Sequence, residues 1–143
     1  MAADIRELVA CHLDFASSLS PPENVFALDT TGLVDPAVTV YSCRRDGELL
    51  GIGALKQLSG RHGELKSMHT AQAARRTGVG RAMLSHLIAV ARARGYELLS
   101  LETGSMDGFI PARAMYASAG FSVCGPFAGY QPSPHSTFMS LRL

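Results

Sequence analysis

The chain contains no tryptophan, three cysteines and little charge: 17% of its 143 residues are Asp, Glu, Lys or Arg, and the formal net charge is +1. So even a balance argues against a chain built to coat nucleic acid or a membrane surface. Cys11, Cys43 and Cys124 are odd in number and far apart, with no Cys-x-x-Cys spacing. That excludes a disulfide framework, a zinc ribbon and a redox pair, and predicts buried free thiols in a reducing compartment. No stretch approaches the roughly 18 apolar residues needed to cross a bilayer. Asp4 and Glu7 stand where a signal peptide needs bases. A soluble, cytoplasmic protein is expected. The histidines show no metal-ligand spacing, so no metal site is expected.

What is present is a chain with 47% hydrophobic residues, enough for one core. Its charges are segregated. Residues 1–35 hold Asp4, Glu7, Asp14, Glu23, Asp29 and Asp35 against Arg6 alone, whereas residues 65–96 have no acid and carry Lys66, Arg75, Arg76, Arg81, Arg92 and Arg94. A cationic stretch in a neutral chain points to a discrete anionic ligand. No nucleic-acid reader motif accompanies it.

Helical spacing of Ile5, Leu8, Val9, Leu13 and Ala16 predicts a first helix to about residue 17, with Asp4 and Glu7 as a capping-box start. Ser20-Pro21-Pro22-Glu23 predicts the start of a short second helix. The β-branched run 38–43, the turn Asp46-Gly47 and the run 49–55 read as a hairpin, and a third strand is expected over 64–70. Val79, Met83, Leu84, Leu87, Ile88 and Ala91 mark one face of a helix over 78–94 that Gly95 ends. Strands over 98–103, 121–124 and 136–143 and a helix over 111–119 complete an α/β domain spanning 1–143, a mixed, mostly antiparallel sheet flanked by helices. Residues 125–135, with three prolines, are expected to form an ordered arm.

The sharpest local signal is Arg75-Arg76-Thr77-Gly78-Val79-Gly80-Arg81-Ala82, after a strand and at the mouth of the long helix. Glycines at alternate positions let the backbone bend with its N–H groups outward, where the helix dipole and the arginines favour phosphate. It is not a Walker A loop, because Arg81-Ala82 follows the last glycine. Nor is it a Rossmann fingerprint, because Met83 stands where Gly or Ala is needed.

Residues 75–80 fit the pattern Arg or Gln, two residues, Gly, any residue, then Gly or Ala, and Tyr116 stands four residues before Gly120-Phe121. On these two motifs the chain resembles the GNAT superfamily of acyl-CoA-dependent N-acetyltransferases, especially small bacterial members with similar Leu-Glu-Thr-Gly-Ser and Gly-Pro-Phe segments. The resemblance runs from about residue 39 to the C-terminus. It implies a GNAT-like fold and acetyl-CoA as cosubstrate. Backbone groups at Arg75, Arg76, Thr77, Gly78, Val79, Gly80, Arg81 and Ala82 would hold its pyrophosphate, and Met68, His69 and Thr70 would run beside its pantetheine arm. The family often has an Asn seven residues before the tyrosine, touching the cofactor. Phe109 stands there and puts that contact in question.

Within that frame Tyr116 is the natural proton donor to the departing thiolate. Glu64 occupies the place of the catalytic glutamate of histone-type members, and Glu102 competes with it as base or substrate anchor. Glu64, Glu102 and water all remain open as the base. The expected partner is a small-molecule amine, with no nucleic acid and no membrane, and a homodimer is left open. The rival readings are a non-catalytic acyl-CoA-binding module and an enzyme that acetylates a protein or peptide amine. Acids of residues 1–35 are candidates to line the acceptor mouth and attract a cationic amine.

Overall fold

The structure, a computed structural model, describes residues 2–21, 25, 28–29, 32 and 35–143. Among these, helix α1 spans Ala3–Leu19 and is followed by strands β1 (Val38–Arg45), β2 (Glu48–Gln57) and β3 (His62–Thr70). Helix α2 (Val79–Ala93) leads to β4 (Leu98–Gly104), α3 (Ile110–Ser118), β5 (Ser122–Cys124) and β6 (Ser136–Arg142). The six strands form one sheet in the order β1-β2-β3-β4-β6-β5, and only β3 and β4 are parallel neighbours. This is the mixed, mostly antiparallel α/β architecture expected. The short helix expected after Ser20 runs into residues 22–24 and 26–27, outside the described residues.

Period-two alternation on β2 divides the core between the two faces of the sheet. Ile52 and Ala54 face α1, where Leu8 and Val9 cover them. Gly51, Gly53 and Leu55 face α2. A Cβ at Gly51 would lie 2.9 Å from Val79 Cγ1, and one at Gly53 would lie 2.8–2.9 Å from Met68, Leu87 and Met83. The missing side chains therefore let α2 settle close onto the strand. Leu84, Leu87, Ala91, Leu99, Leu101, Tyr116 and Phe121 build the larger core on that face.

The feature that makes room for a site is a bulge. Ile52 pairs with His69 but Ala54 with Lys66, so β3 carries one extra residue, and Ser67 takes a left-handed φ of 55°. The insertion reverses the alternation. Leu65 belongs to the α2-side core; past the bulge Met68 faces α2 and His69 faces α1. The pairing of β3 with β4 also ends here, after Leu65↔Leu101, although both strands continue. A split sheet results, with β4 still paired to β6 as far as Gly104↔Ser136.

Two local expectations need correction. The N-cap of α1 is Ala2 and makes no side-chain cap; Asp4 lies in the first turn and accepts hydrogen bonds from both terminal nitrogens of Arg44 at 2.6 and 3.0 Å. A partner 40 residues away takes the carboxylate that a capping box would need. The thiols are free but not buried: Cys11 is exposed on the solvent side of α1, and Cys43 and Cys124 are half-buried.

Candidate active site

Gly78 is the N-cap of α2 with φ 87°, and an added Cβ there would meet nothing within 4 Å. The loop is therefore bent by glycine and open on its outer side. The first intrahelical bond runs from Ala82 N to Gly78 O at 3.0 Å, which leaves the amides of Val79, Gly80 and Arg81 without helical acceptors. Arg76, with φ 63°, and Arg75 flank the loop and are exposed. Arg81 donates to Ser118 Oγ at 2.9 Å, tying the mouth of α2 to α3.

Between α2 and α3 lies a cleft of about 640 Å³. Of the residues expected at the cofactor, Met68, His69, Thr70, Arg75, Arg76, Gly78, Val79, Gly80 and Arg81 line it. Thr77 and Ala82 do not. Thr77 turns its hydroxyl back to the Ala74 carbonyl, and Ala82 already spends its N–H within the helix. Phe109 also forms part of the wall, as an apolar surface.

Across the split, a smaller chamber of about 120 Å³ is bounded by Glu64, Lys66, Glu102, Tyr130, His12 and apolar residues of α1. Glu64 is 2% exposed. Its Oε2 accepts the Tyr130 hydroxyl at 2.6 Å and Lys66 Nζ at 3.2 Å, and Lys66 also donates to the Tyr130 oxygen at 3.0 Å. Glu64 is thus a buried, doubly engaged carboxylate. Burial pushes Glu102 up to about 7, with Glu64 adding to the effect and Ser136 and Lys66 opposing it. It is poised to exchange a proton near neutrality.

His12 Nδ1 and His69 Nδ1 lie 3.1 Å apart and share one proton between them. Burial holds both near 4, so both rings are neutral at pH 7; their neighbours, His69 and Lys66 for His12 and Arg75 for His69, act the same way. The cleft and the chamber share Phe15, Met68, His69, Phe109, Ala112 and Tyr116 as common walls. Tyr116, 6% exposed, stands edge-on to Phe121. Burial, and secondarily Glu102, raise its pKa, so the phenol keeps its proton across the physiological range.

Sequence reasoning brought Tyr116, Glu64 and Glu102 forward, and the fold gathers all three around one chamber. It missed Lys66, Tyr130 and His12. Lys66 had a signal, two positions from Glu64 on the same strand; Tyr130 in the arm and His12 on α1 had none. Among the described residues no acid of the 1–35 segment lines the chamber: Asp4 pairs with Arg44, Asp29 accepts Gly32 N at 2.8 Å and Asp35 accepts Ala37 N at 2.8 Å. Glu23 lies outside the described residues. Among the described residues no three His, Cys, Asp or Glu side chains gather as a metal site, and no helix is long and apolar enough to cross a membrane.

A parallel strand pair that separates after Leu65↔Leu101 thus has open backbone amides and arginines on one side of the gap and a titratable chamber on the other, the layout of an α/β domain that can hold an anionic ligand beside an acid–base site. The chain belongs to the acetyltransferase (GNAT) family, whose model matches residues 4–121. It is 49% identical to the uncharacterized N-acetyltransferase YsnE of Bacillus subtilis, over 97% of this chain and 92% of that protein. Among solved structures it is similar to a Klebsiella pneumoniae protein described as an acyl-CoA N-acyltransferase, with TM-score 0.83, 31% identity, and coverage of 100% of this chain and 92% of that one. A GNAT acetyltransferase of Elizabethkingia anophelis, solved with acetyl-CoA bound, shares the fold at TM-score 0.65 and 18% identity, over 75% of this chain and 77% of that one.

Proposed function

We propose that this N-acetyltransferase moves the acetyl group of acetyl-CoA directly to a primary amine of a small molecule, with both substrates bound at once. The observation that carries the reading is the meeting of cleft and chamber at Tyr116. The open amides of the α2 entrance, with Arg75 and Arg76, suit the pyrophosphate, and Met68, His69 and Thr70 suit the pantetheine arm. A backbone N–H of that segment would polarise the thioester carbonyl.

The amine must first lose its ammonium proton. Glu102 is the better base, because Glu64 already serves two donors whereas Glu102 titrates near 7. The amine nitrogen then forms a bond to the carbonyl carbon, the C–S bond breaks, the nitrogen releases its extra proton to solvent as it becomes the amide, and the leaving thiolate takes a proton from Tyr116, which solvent restores. The burial that raises the phenol also raises the proton affinity of a thiolate formed beside it, so the transfer stays matched. The free thiols Cys11, Cys43 and Cys124 support a reducing, cytoplasmic setting.

The chamber is well below the roughly 300–1,000 Å³ of drug-sized ligand sites, which favours a compact acceptor over a protein chain. Thiol release from acetyl-CoA, measured across amino acids, polyamines, aminoglycosides and peptide amines with mass spectrometry of products, tests this. A small amine should be the best acceptor, with intersecting initial-rate patterns. A peptide amine outpacing every small amine, or parallel patterns with an acetylated enzyme, would overturn it.

A further inference from the structure

Lys66 is the one lysine or arginine among the described residues lining the inner chamber. His12 and His69 are held near 4, mainly by burial, and carry no charge at neutral pH. The Lys66 side chain is 7% exposed. An ammonium has three donor hydrogens, and the partners of Lys66 account for two: Glu64 Oε2 at 3.2 Å and the Tyr130 hydroxyl at 3.0 Å. Its third donor has no acceptor among the described residues. Glu64 forms an ion pair with it, and the same oxygen also accepts from Tyr130, so what Lys66 lacks is an acceptor for one donor. A buried ammonium with a spare donor at the wall of a chamber is costly until an acceptor fills it, and a carboxylate is the strongest such acceptor.

The placement of that cation matters as much as its incomplete shell. Lys66 acts electrostatically on both His12 and Glu102, so it stands within reach of the groups on either side of the chamber. An amine acceptor whose nitrogen faces Glu102 therefore has a cation waiting for whatever that acceptor carries a short distance away. Phe15, Ala16, Val25, Leu101 and Phe109 supply apolar wall, beside the hydroxyls of Ser20, Ser67, Thr103 and Tyr116. The volume, about 120 Å³, is similar to the roughly 150 Å³ cavity that accommodates one benzene, so few heavy atoms fit.

Resting on the acetyl-transfer reading above, we infer that the acceptor is a free amino acid, with Lys66 holding its carboxylate while its amine faces Glu102 and its side chain meets the apolar wall. An amine without the carboxylate leaves the third Lys66 donor dry, and sites built around such a donor discriminate strongly against ligands that cannot use it. Lys66 is on this account a specificity-determining residue.

The test uses matched triplets, each an amino acid, its α-amide and its decarboxylated amine; leucine, leucinamide and 3-methylbutylamine are one set. Thiol release and product mass give kcat/KM for each. In the wild type the best amino acid should exceed its own decarboxylated amine by at least about tenfold, and Lys66→Met should collapse that ratio towards one. Equal or better use of the decarboxylated amines by the wild type overturns the inference whatever the variant does, and so does an undiminished ratio in a folded Lys66→Met. If amines are acetylated without a carboxylate preference, the acetyl-transfer reading survives and this one falls. If no acceptor of any class releases thiol, both fall.

Discussion

The cleft beside α2 takes its polar character mostly from one short stretch of chain, residues 75–76 and 78–81, whereas the chamber across the split borrows Glu64 and Lys66 from β3, Glu102 from β4, Tyr130 from the 125–135 arm and His12 from α1. The first is open, arginine-rich and formed by glycine geometry. The second is small, buried and formed by side chains that shift one another's protonation. Backbone amides offer the same chemistry whatever residue carries them, so a short motif is enough to build an anion cradle. A titratable chamber needs particular side chains at particular depths, and only the finished fold supplies depth.

That contrast can be broken most forcefully at the shared wall. Tyr116→Phe keeps the ring and its packing but removes the proton donor, so turnover should drop about 10²-fold or more while the dissociation constant for CoA hardly moves. Pre-steady-state acetyl transfer is the deciding measurement, and full chemical rate in the variant would detach Tyr116 from the reaction.

On the backbone side, Gly78→Asp sets a negative charge beside the phosphates at a residue with φ 87°. CoA affinity should weaken by at least about tenfold, or roughly 1.4 kcal/mol, by calorimetric titration. Gly78→Ala carries the same backbone strain, since its Cβ meets nothing within 4 Å, but no charge. It should fall between the two. Equal affinities in all three proteins would mean that the loop does not touch phosphate.

The chamber should reveal itself through pH. Glu102 titrates at about 7 and accepts a proton only when ionised, so kcat/KM should rise with pH through that value. Glu102→Gln should erase this limb. Glu64→Gln removes a neighbouring negative charge that raises Glu102, and should shift the limb to lower pH without abolishing it. Stability gives an independent reading. Because folding raises this carboxyl from 4.5 to about 7, its favourable contribution is complete below 4.5 and is lost as pH climbs through 7. Glu102→Gln should therefore gain on the wild type by a few degrees of Tm between pH 5 and pH 8. A constant difference across that interval would contradict the burial argument.

The smallest effect belongs to the acids outside both regions. Asp29 accepts a backbone N–H from Gly32 and lies outside the chamber wall. Asp29→Asn should leave the Michaelis constant for the acceptor unchanged at low and high salt. A salt-sensitive rise would restore the idea of an acidic funnel.

Much of the frame was legible because its signals are local. Asp46-Gly47 turns the first hairpin with φ values of 51° and 81°, Gly95 closes α2 with φ 81°, and the spacing of Met83, Leu84, Leu87, Ile88 and Ala91 marks the face that is buried. The glycine loop and Tyr116 were legible for the same reason. What escaped depends on distant partners. No glycine or asparagine announces the bulge at Ser67, yet it sends His69 to meet His12, 57 residues away. Sequence put Glu64 forward as the base with Glu102 as its rival, but it could not show Tyr130, 66 positions beyond Glu64, donating to that carboxylate. Asp4 had the spacing of a cap and was claimed by Arg44 instead.

The glycines of β2 also act at a distance. Helix α2, 15 residues and about 22 Å long at 1.5 Å per residue, works as a lever resting on that strand. Its first residue, Val79, bears down on Gly51, and Val79 is β-branched and cannot swing aside. A methyl group at position 51 would also press the His69 carbonyl at 3.2 Å, so the end of the lever would have to lift, carrying the amides of Val79, Gly80 and Arg81 with it. The height of these open amides is thus set by atoms that β2 does not have.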